Sequence, residues 1–265
     1  MSANAKMLAV LEALSSGGPD ASLVHISAQV GLPRSTTHRL LQELVELGYV
    51  VTDGRGAYYS GPAFLSLAGH VLAHREFVRY VHPIAVALRD ATEYTVHFAI
   101  HNGQSAIYLD KVEAKEPYKM ASRVGMSIPL HCTSIGKAIL STMSNDDVLN
   151  LLSGVNLTPR TPNTMTSMSN LLADLALTRH RGFAFDNEEN EKGVRCLGAA
   201  VHDSLGEVVG GVSVSALTFV LSDDEIAETG AAVQDAASAI SSALGASESI
   251  TCSVKFLNTG PRSKT

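Results

Sequence analysis

The segment 30–50, with the sequence VGLPRSTTHRLLQELVELGYV, decides the fold of the N-terminal third of this 265-residue chain. Gly31 is a residue type that often follows the end of a helix, and Pro33 is favoured where the next helix begins. From about Arg34 to Leu47, small or apolar side chains recur every three or four residues, which predicts an amphipathic helix. We expect its buried face to consist of Thr37, Leu40, Leu41, Leu44 and Leu47.

Two shorter helices are predicted ahead of this one, over residues 5–14 and 23–30. Ser22 is suited to cap the second helix, because a serine hydroxyl accepts a hydrogen bond from an N–H of the first helical turn. The first helix is expected to bury the leucines that share one of its faces, which are Leu8, Leu11 and Leu14.

A β-hairpin should follow the third helix, because residues 49–52 and 57–60 flank the tip 53–56, which contains Asp53-Gly54, a strong turn signal. Three helices followed by a hairpin form a winged helix-turn-helix. In such domains the N-terminal half of the third helix enters the major groove of DNA, and the wing tip can reach phosphate or the minor groove. The predicted DNA contacts are Arg34, Ser35, Thr36, Thr37, His38, Arg39 and Arg55.

The charge of the chain argues mildly against DNA binding. The whole chain carries a formal net charge of −6, and its first 66 residues hold four basic and five acidic side chains. A DNA-binding domain usually has a basic surface. The prediction therefore depends on where the arginines lie, and a small-molecule sensor that does not bind DNA remains an alternative.

The rest of the chain predicts a larger domain of mixed strands and helices. Strands are predicted over residues 95–100, 106–112, 197–202 and 208–215, with Asn102-Gly103 joining the first pair. A helix is predicted over residues 63–80, and Pro83 should separate it from a second helix that ends at residue 91. Three further helices are predicted, one that begins near Thr133, one over 169–181 and one over 222–244. Elements mixed in this way predict an α+β fold with one antiparallel sheet and flanking helices.

Several motifs resemble the IclR family of transcription regulators. They are Val30–Leu41 followed by Leu47–Val50, Arg123–Gly125, Pro129–Ala138, Arg181–Glu189, Gly193–Cys196 and Val212–Ser215. The blocks follow the order and spacing of the family, and the similarity covers about residues 5–247. One departure follows the hairpin, where this chain has Tyr59-Ser60-Gly61-Pro62 and family members often carry Tyr-x-Leu-Gly.

The resemblance implies both an organisation and a function. The expected parts are a winged helix-turn-helix over 1–62, a linker helix over 63–82 and an effector-binding domain with a GAF/PAS-like fold over 83–249. We expect the polar tail, 250–265, to be disordered. The implied function is a repressor that binds operator DNA as a dimer or a dimer of dimers, under the control of a small organic acid. The positions that match the family's effector contacts are Ser134, Ile135, Asp186, Cys196, Ser213 and Ser215.

The residues themselves partly support an acid-binding site. Ser134 and Ile135 follow Thr133 at a predicted helix N-terminus, where unpaired N–H groups and the helix dipole favour an anion. Ser213 and Ser215 alternate along a predicted strand, so both side chains point to one face of the sheet. Met126 and Leu130 are expected to form an apolar lid over the site.

A cysteine-dependent hydrolase is the second alternative. It would use Cys132 or Cys196 as its nucleophile, and His131 directly precedes the first of these. A nucleophile needs a base in spatial contact, however, whereas neighbours in an extended chain point apart. We therefore expect no enzyme activity.

Other classes are excluded by composition and spacing. The three cysteines, Cys132, Cys196 and Cys252, are far apart, so a disulfide framework is not expected. No metal or cofactor is expected, because His97, His101, His131 and His202 do not form a complete zinc-ligand motif, although His97 and His101 are four residues apart. The N-terminus lacks signal-peptide features and no apolar run has the length of a membrane span, which predicts a cytoplasmic protein without membrane partners.

Overall fold

The computed structural model describes residues 2–16, 21–73, 76–115 and 120–245. The chain divides into two compact units, residues 1–75 and residues 76–265. The first unit includes the helix that the sequence assigns to a separate linker. The predicted tail, 250–265, and Cys252 lie outside the described residues.

The N-terminal unit has the predicted order of elements. These are α1 (Ala3–Ser16), α2 (Leu23–Val30), α3 (Arg34–Glu46), β1 (Val50–Thr52), β2 (Tyr58–Ser60) and α4 (Pro62–Ala73). The Ser22 hydroxyl caps α2 by accepting a hydrogen bond from the His25 N–H at 3.3 Å. Gly31 ends α2 with a φ of 66°, in the left-handed region that glycine adopts without strain. β1 and β2 pair antiparallel and form the wing.

A small apolar core joins the three helices to the hairpin. It includes Val10, Ala13, Leu14, Ile26, Leu40, Leu41, Leu44, Val50 and Tyr58. Two predictions were wrong, because Leu8 and Leu47 are each 60% exposed. Helix α1 buries the face of Val10, Ala13 and Leu14 instead, and Leu47 lies beyond the last residue of α3 as its C-cap.

The second unit is built on a six-stranded antiparallel sheet. Its strands are β3 (Thr95–Asn102), β4 (Ser105–Val112), β5 (Ser127–Pro129), β6 (Ala184–Asn187), β7 (Val194–His202) and β8 (Val208–Leu217). The order across the sheet is β5-β4-β3-β8-β7-β6. Pairing of β3 with β8 therefore joins two hairpins that are about a hundred residues apart in sequence into one sheet.

Helices cover both faces of this sheet, which confirms the predicted α+β fold. On one face α5 (Glu76–Thr92) and α9 (Ile226–Gly245) pack around strand residues that include Phe98, Leu197 and Val212. On the other face lie α6 (Ser134–Ser141), α7 (Asn145–Leu151) and α8 (Met168–Arg181), with Ile135 and Ile139 in the core. The short elements β5, β6 and α7 were not predicted, because three to seven residues are too few to show a period.

The predicted break at Pro83 is wrong. Helix α5 runs without interruption from Glu76 to Thr92, with Pro83 inside it. Proline removes one helical hydrogen bond and usually kinks or ends a helix. Here the apolar face on both sides of it, with Val81, Ala85 and Leu88, is buried against the sheet and α9, and this packing stabilises the helix.

Candidate functional site

The first candidate site is the outward face of α3. Arg34, Ser35, His38 and Arg39 are exposed, and Thr36 is half-buried. They share this face because the apolar side chains of α3 occupy the opposite one. The N-terminal half of the helix therefore presents guanidinium, imidazole and hydroxyl groups together, which are donors to phosphate and to base edges.

Arg39 is engaged within its own helix. Its Nη1 contacts Glu43 Oε1 one turn later, and the two side chains are 64% and 39% exposed. Ion pairs this exposed contribute little to stability, about 0–1 kcal/mol. A DNA phosphate therefore competes with Glu43 for the guanidinium at a small cost.

The structure corrects the assignment of Thr37 as a DNA contact. Thr37 is fully buried, and its Oγ1 donates a hydrogen bond to the Pro33 carbonyl at 3.2 Å. It lies on the face with Leu40 and Leu41, where the sequence pattern also placed it. Thr37 thus supports α3 from within the core and cannot reach a duplex.

Arg55 lies exposed at the tip of the wing. The Asp53 Oδ1 accepts hydrogen bonds from the N–H groups of Arg55 at 2.8 Å and Ala57 at 3.1 Å. Gly54 and Gly56 take φ values of 74° and 102°, which side chains rarely adopt. The loop between the two strands covers residues 53–57, one residue more than the tip 53–56 that the sequence predicted.

The second candidate site is a row of side chains across three strands. The sheet register pairs Asp186 of β6 with Cys196 of β7, and Cys196 with Ser215 of β8. Directly opposed residues of an antiparallel sheet point to the same face. Ser213 lies two residues before Ser215 and shares that face. Sequence spacing could not place Asp186 beside Cys196, because the length of the connecting loop does not fix the register.

A chain of hydrogen bonds continues from this row. The Ser215 Oγ is 3.1 Å from Cys196 Sγ and 3.4 Å from His97 Nδ1, and His97 Nε2 is 2.7 Å from Ser122 Oγ. Burial, with a smaller effect of nearby Lys111, lowers the pKa of His97 to about 3. His97 is therefore a neutral member of the network, with one nitrogen donating and one accepting.

The N-terminus of α6 lies directly against the sheet beside this row. The Thr133 Oγ1 caps the helix by accepting a hydrogen bond from the Gly136 N–H at 3.1 Å. A Cβ added to Gly198 of β7 would lie 2.8 Å from the Ser134 carbonyl carbon, and one on Gly211 of β8 would lie 3.1 Å from a methyl of Ile135. These two glycines allow the positive end of the helix dipole to approach the strand backbone.

A cavity of about 70 Å³ lies on this face of the sheet. Of the predicted effector contacts, Cys196 and Ser215 line it, whereas Ser134, Ile135, Asp186 and Ser213 are buried in the layer beside it. Of the two predicted lid residues, Met126 lines the cavity, and Leu130 belongs to the core around α6 instead.

Most of the side chains that line this cavity were not predicted as site residues, among them His97, Tyr108 and Arg160. Arg160 is exposed, and its Nε donates to the Asn190 carbonyl at 3.2 Å. It lies in the loop between α7 and α8, where no periodic pattern gives its position. His97 and Tyr108 belong to predicted strands, and only the strand register shows that they meet, with ring centroids 4.8 Å apart.

A buried ion cluster holds α6 in place. The Nζ of Lys137, a residue with no solvent exposure, lies 2.5 Å from Glu189 Oε1, 2.9 Å from Asp174 Oδ2 and 2.5 Å from the Phe185 carbonyl. It thereby joins α6 to α8 and to the segment that follows β6. The charge of a buried lysine requires such partners, because desolvation alone strongly disfavours an ammonium group.

Asp186 lies next to this cluster. Its Oδ1 accepts hydrogen bonds from the N–H groups of Glu189 at 2.7 Å and Asn190 at 3.3 Å. Burial, followed by the charge of Glu189, raises the pKa of Asp186 to about 7. Burial also raises the pKa of Glu189. Asp186 is therefore partly protonated near neutral pH, beside the place where an anion would bind.

Two family models match these two units. The IclR helix-turn-helix domain matches residues 5–54, and the C-terminal domain of the bacterial transcriptional regulator IclR matches residues 69–242. The chain belongs to the IclR family. It is thus a DNA-binding transcription regulator, as the sequence motifs predicted.

Similar proteins cover nearly the whole of this IclR-family chain. The HTH-type transcriptional repressor AllR of Escherichia coli K12 is 31% identical over 239 residues, which span 90% of this chain and 88% of AllR. The crystal structure of Thermotoga maritima IclR has a TM-score of 0.70 at 31% identity and covers 91% of this chain and 98% of its own. An IclR homologue from Microbacterium hydrocarbonoxydans, crystallised with 4-hydroxybenzoate, shares the fold, with a TM-score of 0.75 at 22% identity over 93% of this chain and 100% of its own.

The prediction that this IclR-family protein is not an enzyme is confirmed, since its relatives are transcription repressors. The two cysteines that the structure describes, Cys132 and Cys196, also lack the properties of nucleophiles. Burial raises the pKa of Cys132 to about 12 and raises that of Cys196 well above the usual value, whereas catalytic cysteines have lowered pKa values. His131 Nε2 is 3.3 Å from the Thr158 carbonyl rather than paired with a thiol.

The described residues contain no group of three or more metal-ligating side chains. Of the four histidines weighed in the sequence, His97 and His101 lie on β3, His131 precedes α6 and His202 ends β7. None of the helices in the described ranges is long and apolar enough to cross a membrane.

Proposed function

We propose that this IclR-family protein represses transcription by binding operator DNA through α3 and the wing, and that a small organic acid controls this binding. The observation that carries the effector half is the row Asp186–Cys196–Ser215, which lies beside the N-terminus of α6 and borders a cavity. The sign of regulation is supported by AllR, which is a repressor.

The DNA-binding half is supported by the arrangement of charge on α3. The whole chain is acidic, yet Arg34 and Arg39 lie exposed on the helix face that carries Ser35 and His38. Two-fold symmetric operators are read by dimers whose recognition helices are one helical turn of DNA apart. We propose that the protein acts as a dimer or a dimer of dimers in the cytoplasm, where operator DNA is found.

The effector half is supported by the groups around the cavity. Arg160 supplies a guanidinium for a carboxylate, Ser215 supplies a hydroxyl, and the N-terminus of α6 adds its positive dipole end. The Microbacterium homologue was crystallised with an aromatic acid, and this supports a carboxylate as the ligand class.

The size of the cavity suggests how binding is transmitted. Sites for small molecules commonly have volumes of about 300–1,000 Å³, whereas this cavity has about 70 Å³. An acid can therefore bind only if part of the lining moves. A ligand that fits one arrangement of the protein and not the other shifts the balance between them.

The test is a titration of DNA from upstream of the protein's own gene, followed by fluorescence anisotropy. We expect binding that weakens more than tenfold between about 50 and 200 mM salt, because phosphate contacts dominate affinity. We also expect 4-hydroxybenzoate or another monocarboxylic acid from an aliphatic and aromatic panel to release the DNA, with 4-hydroxybenzyl alcohol as the uncharged control.

Arg160→Gln is the matched variant for the effector half. It should reduce the effect of the acid without changing the DNA affinity of the free protein, because Arg160 is exposed beside the cavity and lies in a different unit from α3. Absence of binding to any genomic fragment at low salt would contradict the DNA-binding half. DNA binding that no acid alters would contradict the effector half.

A further inference from the structure

A second pocket adjoins the effector cavity. It has a volume of about 270 Å³ and is lined mainly by apolar groups, among them Tyr94, Leu217, Phe219 and Val220. The side chains of Phe219 and Val220 are 74% and 41% exposed. The effector unit therefore presents an apolar pocket next to the effector cavity.

The pocket and the cavity are neighbours along the sheet. Both are lined by Met120 and Ser215. The register pairs Thr95 of β3 with Ser215 of β8, and residues two apart along a strand share a face. The cavity at Ser215 and the pocket at Leu217 thus follow each other in the strand direction, with Met120 between them.

Hydrogen bonds fix the backbone around Met120, whereas its side chain can change rotamer. The Lys111 Nζ donates hydrogen bonds to the carbonyls of Met120 and Ser122, each at 2.8 Å. A methionine side chain is unbranched and has three rotatable bonds, so it adapts to irregular spaces. A change of rotamer at Met120 can join the two spaces without moving the strand that carries Lys111.

We propose that the apolar pocket holds the tail of the effector, so that the ligand is an acid with an alkyl or aryl tail. The carboxylate lies in the cavity beside Arg160 and Ser215, and the tail passes Met120 to reach Leu217 and Phe219. This inference rests on the proposed function and narrows the class of ligand that the same site takes.

Charge and volume support this orientation. Among the described residues, the pocket has Glu93 as its charged lining residue, which repels a carboxylate, whereas the cavity is lined by Glu191 and by Arg160, the cation with which a carboxylate can pair. The cavity alone has room for about two water molecules. Together with the pocket it reaches the lower end of the range found for small-molecule sites.

The experiment is calorimetric titration of the full-length protein with acetate, butyrate, hexanoate and octanoate, and with 1-octanol as the uncharged control. We expect affinity to rise by up to about fourfold for each added methylene, since each one buries apolar surface. Octanol should bind more weakly than octanoate, because it lacks the charge that Arg160 recognises.

Variants separate the tail pocket from the cavity. Ala114→Leu adds bulk to a residue that lines the pocket and not the cavity, so it should weaken octanoate at least tenfold and change butyrate less than twofold. Val220→Trp fills the same pocket from its open side and serves if the first variant fails to fold. Met126→Ala changes the cavity alone and should alter all four acids by similar factors.

The outcomes distinguish this inference from the function on which it rests. Acids that bind with an affinity independent of chain length, or pocket variants that weaken butyrate and octanoate equally, would overturn the tail pocket and leave the effector function standing. Failure of all four acids and of 4-hydroxybenzoate to bind would overturn both.

Discussion

The two candidate sites of this molecule are built in opposite ways. The outward face of α3 comes from consecutive residues of one helix, with exposed side chains and an exposed ion pair between Arg39 and Glu43. The effector cavity gathers residues from five strands and the loops between elements, and the register of the sheet brings the strand residues together. Helical periodicity alone therefore reveals the first site, whereas the second requires knowledge of which strands pair and how.

The same contrast predicts different costs of mutation. Charges on α3 are in water, so their loss should affect binding more than folding. The charges of the Lys137 cluster in the effector unit are buried or nearly so, and their loss should affect folding first.

The largest effect is expected for Lys137→Met. The variant leaves Asp174 and Glu189 buried without the cation that pairs with both, and breaking such a pair costs about 3–5 kcal/mol. Hydrogen exchange measured by mass spectrometry should show lost protection across α6 and β6–β7 and unchanged protection in α3. Combining the variant with Asp174→Asn and Glu189→Gln should restore most of the loss. Unchanged protection in α6 would show that the cluster does not hold this helix.

The next largest effect is expected for Arg39→Ala on operator binding. We expect about tenfold weaker binding and a salt dependence reduced by roughly one phosphate contact, because the guanidinium is exposed where DNA would lie. Glu43→Gln should instead tighten binding by about two- to fivefold, since it releases Arg39 from its partner. Arg123→Ala, at an exposed position of the effector unit, is the control. An unchanged salt slope in the Arg39 variant would argue against its contact with phosphate.

A smaller, pH-dependent effect is expected for Asp186→Asn. Because burial raises the pKa of Asp186 to about 7, the folded state holds the proton more tightly than the unfolded state. The resulting stabilisation is present at low pH and is lost as pH rises through about 7. The variant keeps an oxygen for the Glu189 and Asn190 N–H groups, so its Tm should gain a few degrees on wild type between about pH 5 and pH 8. Asp235→Asn, at an exposed position of α9, should show no such trend; a flat difference for Asp186→Asn would contradict its burial as a charged group.

The smallest effect is expected for Thr37→Val on DNA binding. Thr37 is buried, so operator affinity should change less than twofold, while loss of the hydrogen bond to Pro33 costs about 1 kcal/mol of stability. Ser35→Ala, two residues earlier and exposed, should weaken DNA binding measurably. Equal losses of affinity in both variants would place Thr37 at the interface after all.

Sequence patterns predicted most of the fold and part of the site. The helix caps at Ser22 and Gly31 and the turn at Asn102-Gly103 could be predicted, because each depends on one or two residues and a local hydrogen bond or dihedral angle. The predicted break at Pro83 was wrong, because the tendency of proline to interrupt a helix is outweighed by burial of the helix face around it. Arg160 and the neighbourhood of Asp186 and Cys196 were beyond prediction from spacing, since loop path and strand register are set by packing of distant parts of the chain.

The glycines beneath α6, Gly198 and Gly211, bear on how the ligand preference of an effector domain of this kind can change. At Gly198 and Gly211 the N-terminal end of α6 packs against strand backbone that carries no side chain. The distance between the helix end and the sheet is therefore set by peptide groups. In the proposed effector site, changes among the side chains around the cavity would alter which acid is accepted. A single methyl group at position 198 would lift the helix end and weaken its attraction for every anion alike. Discrimination among ligands and the general pull on negative charge are thus encoded by different residues.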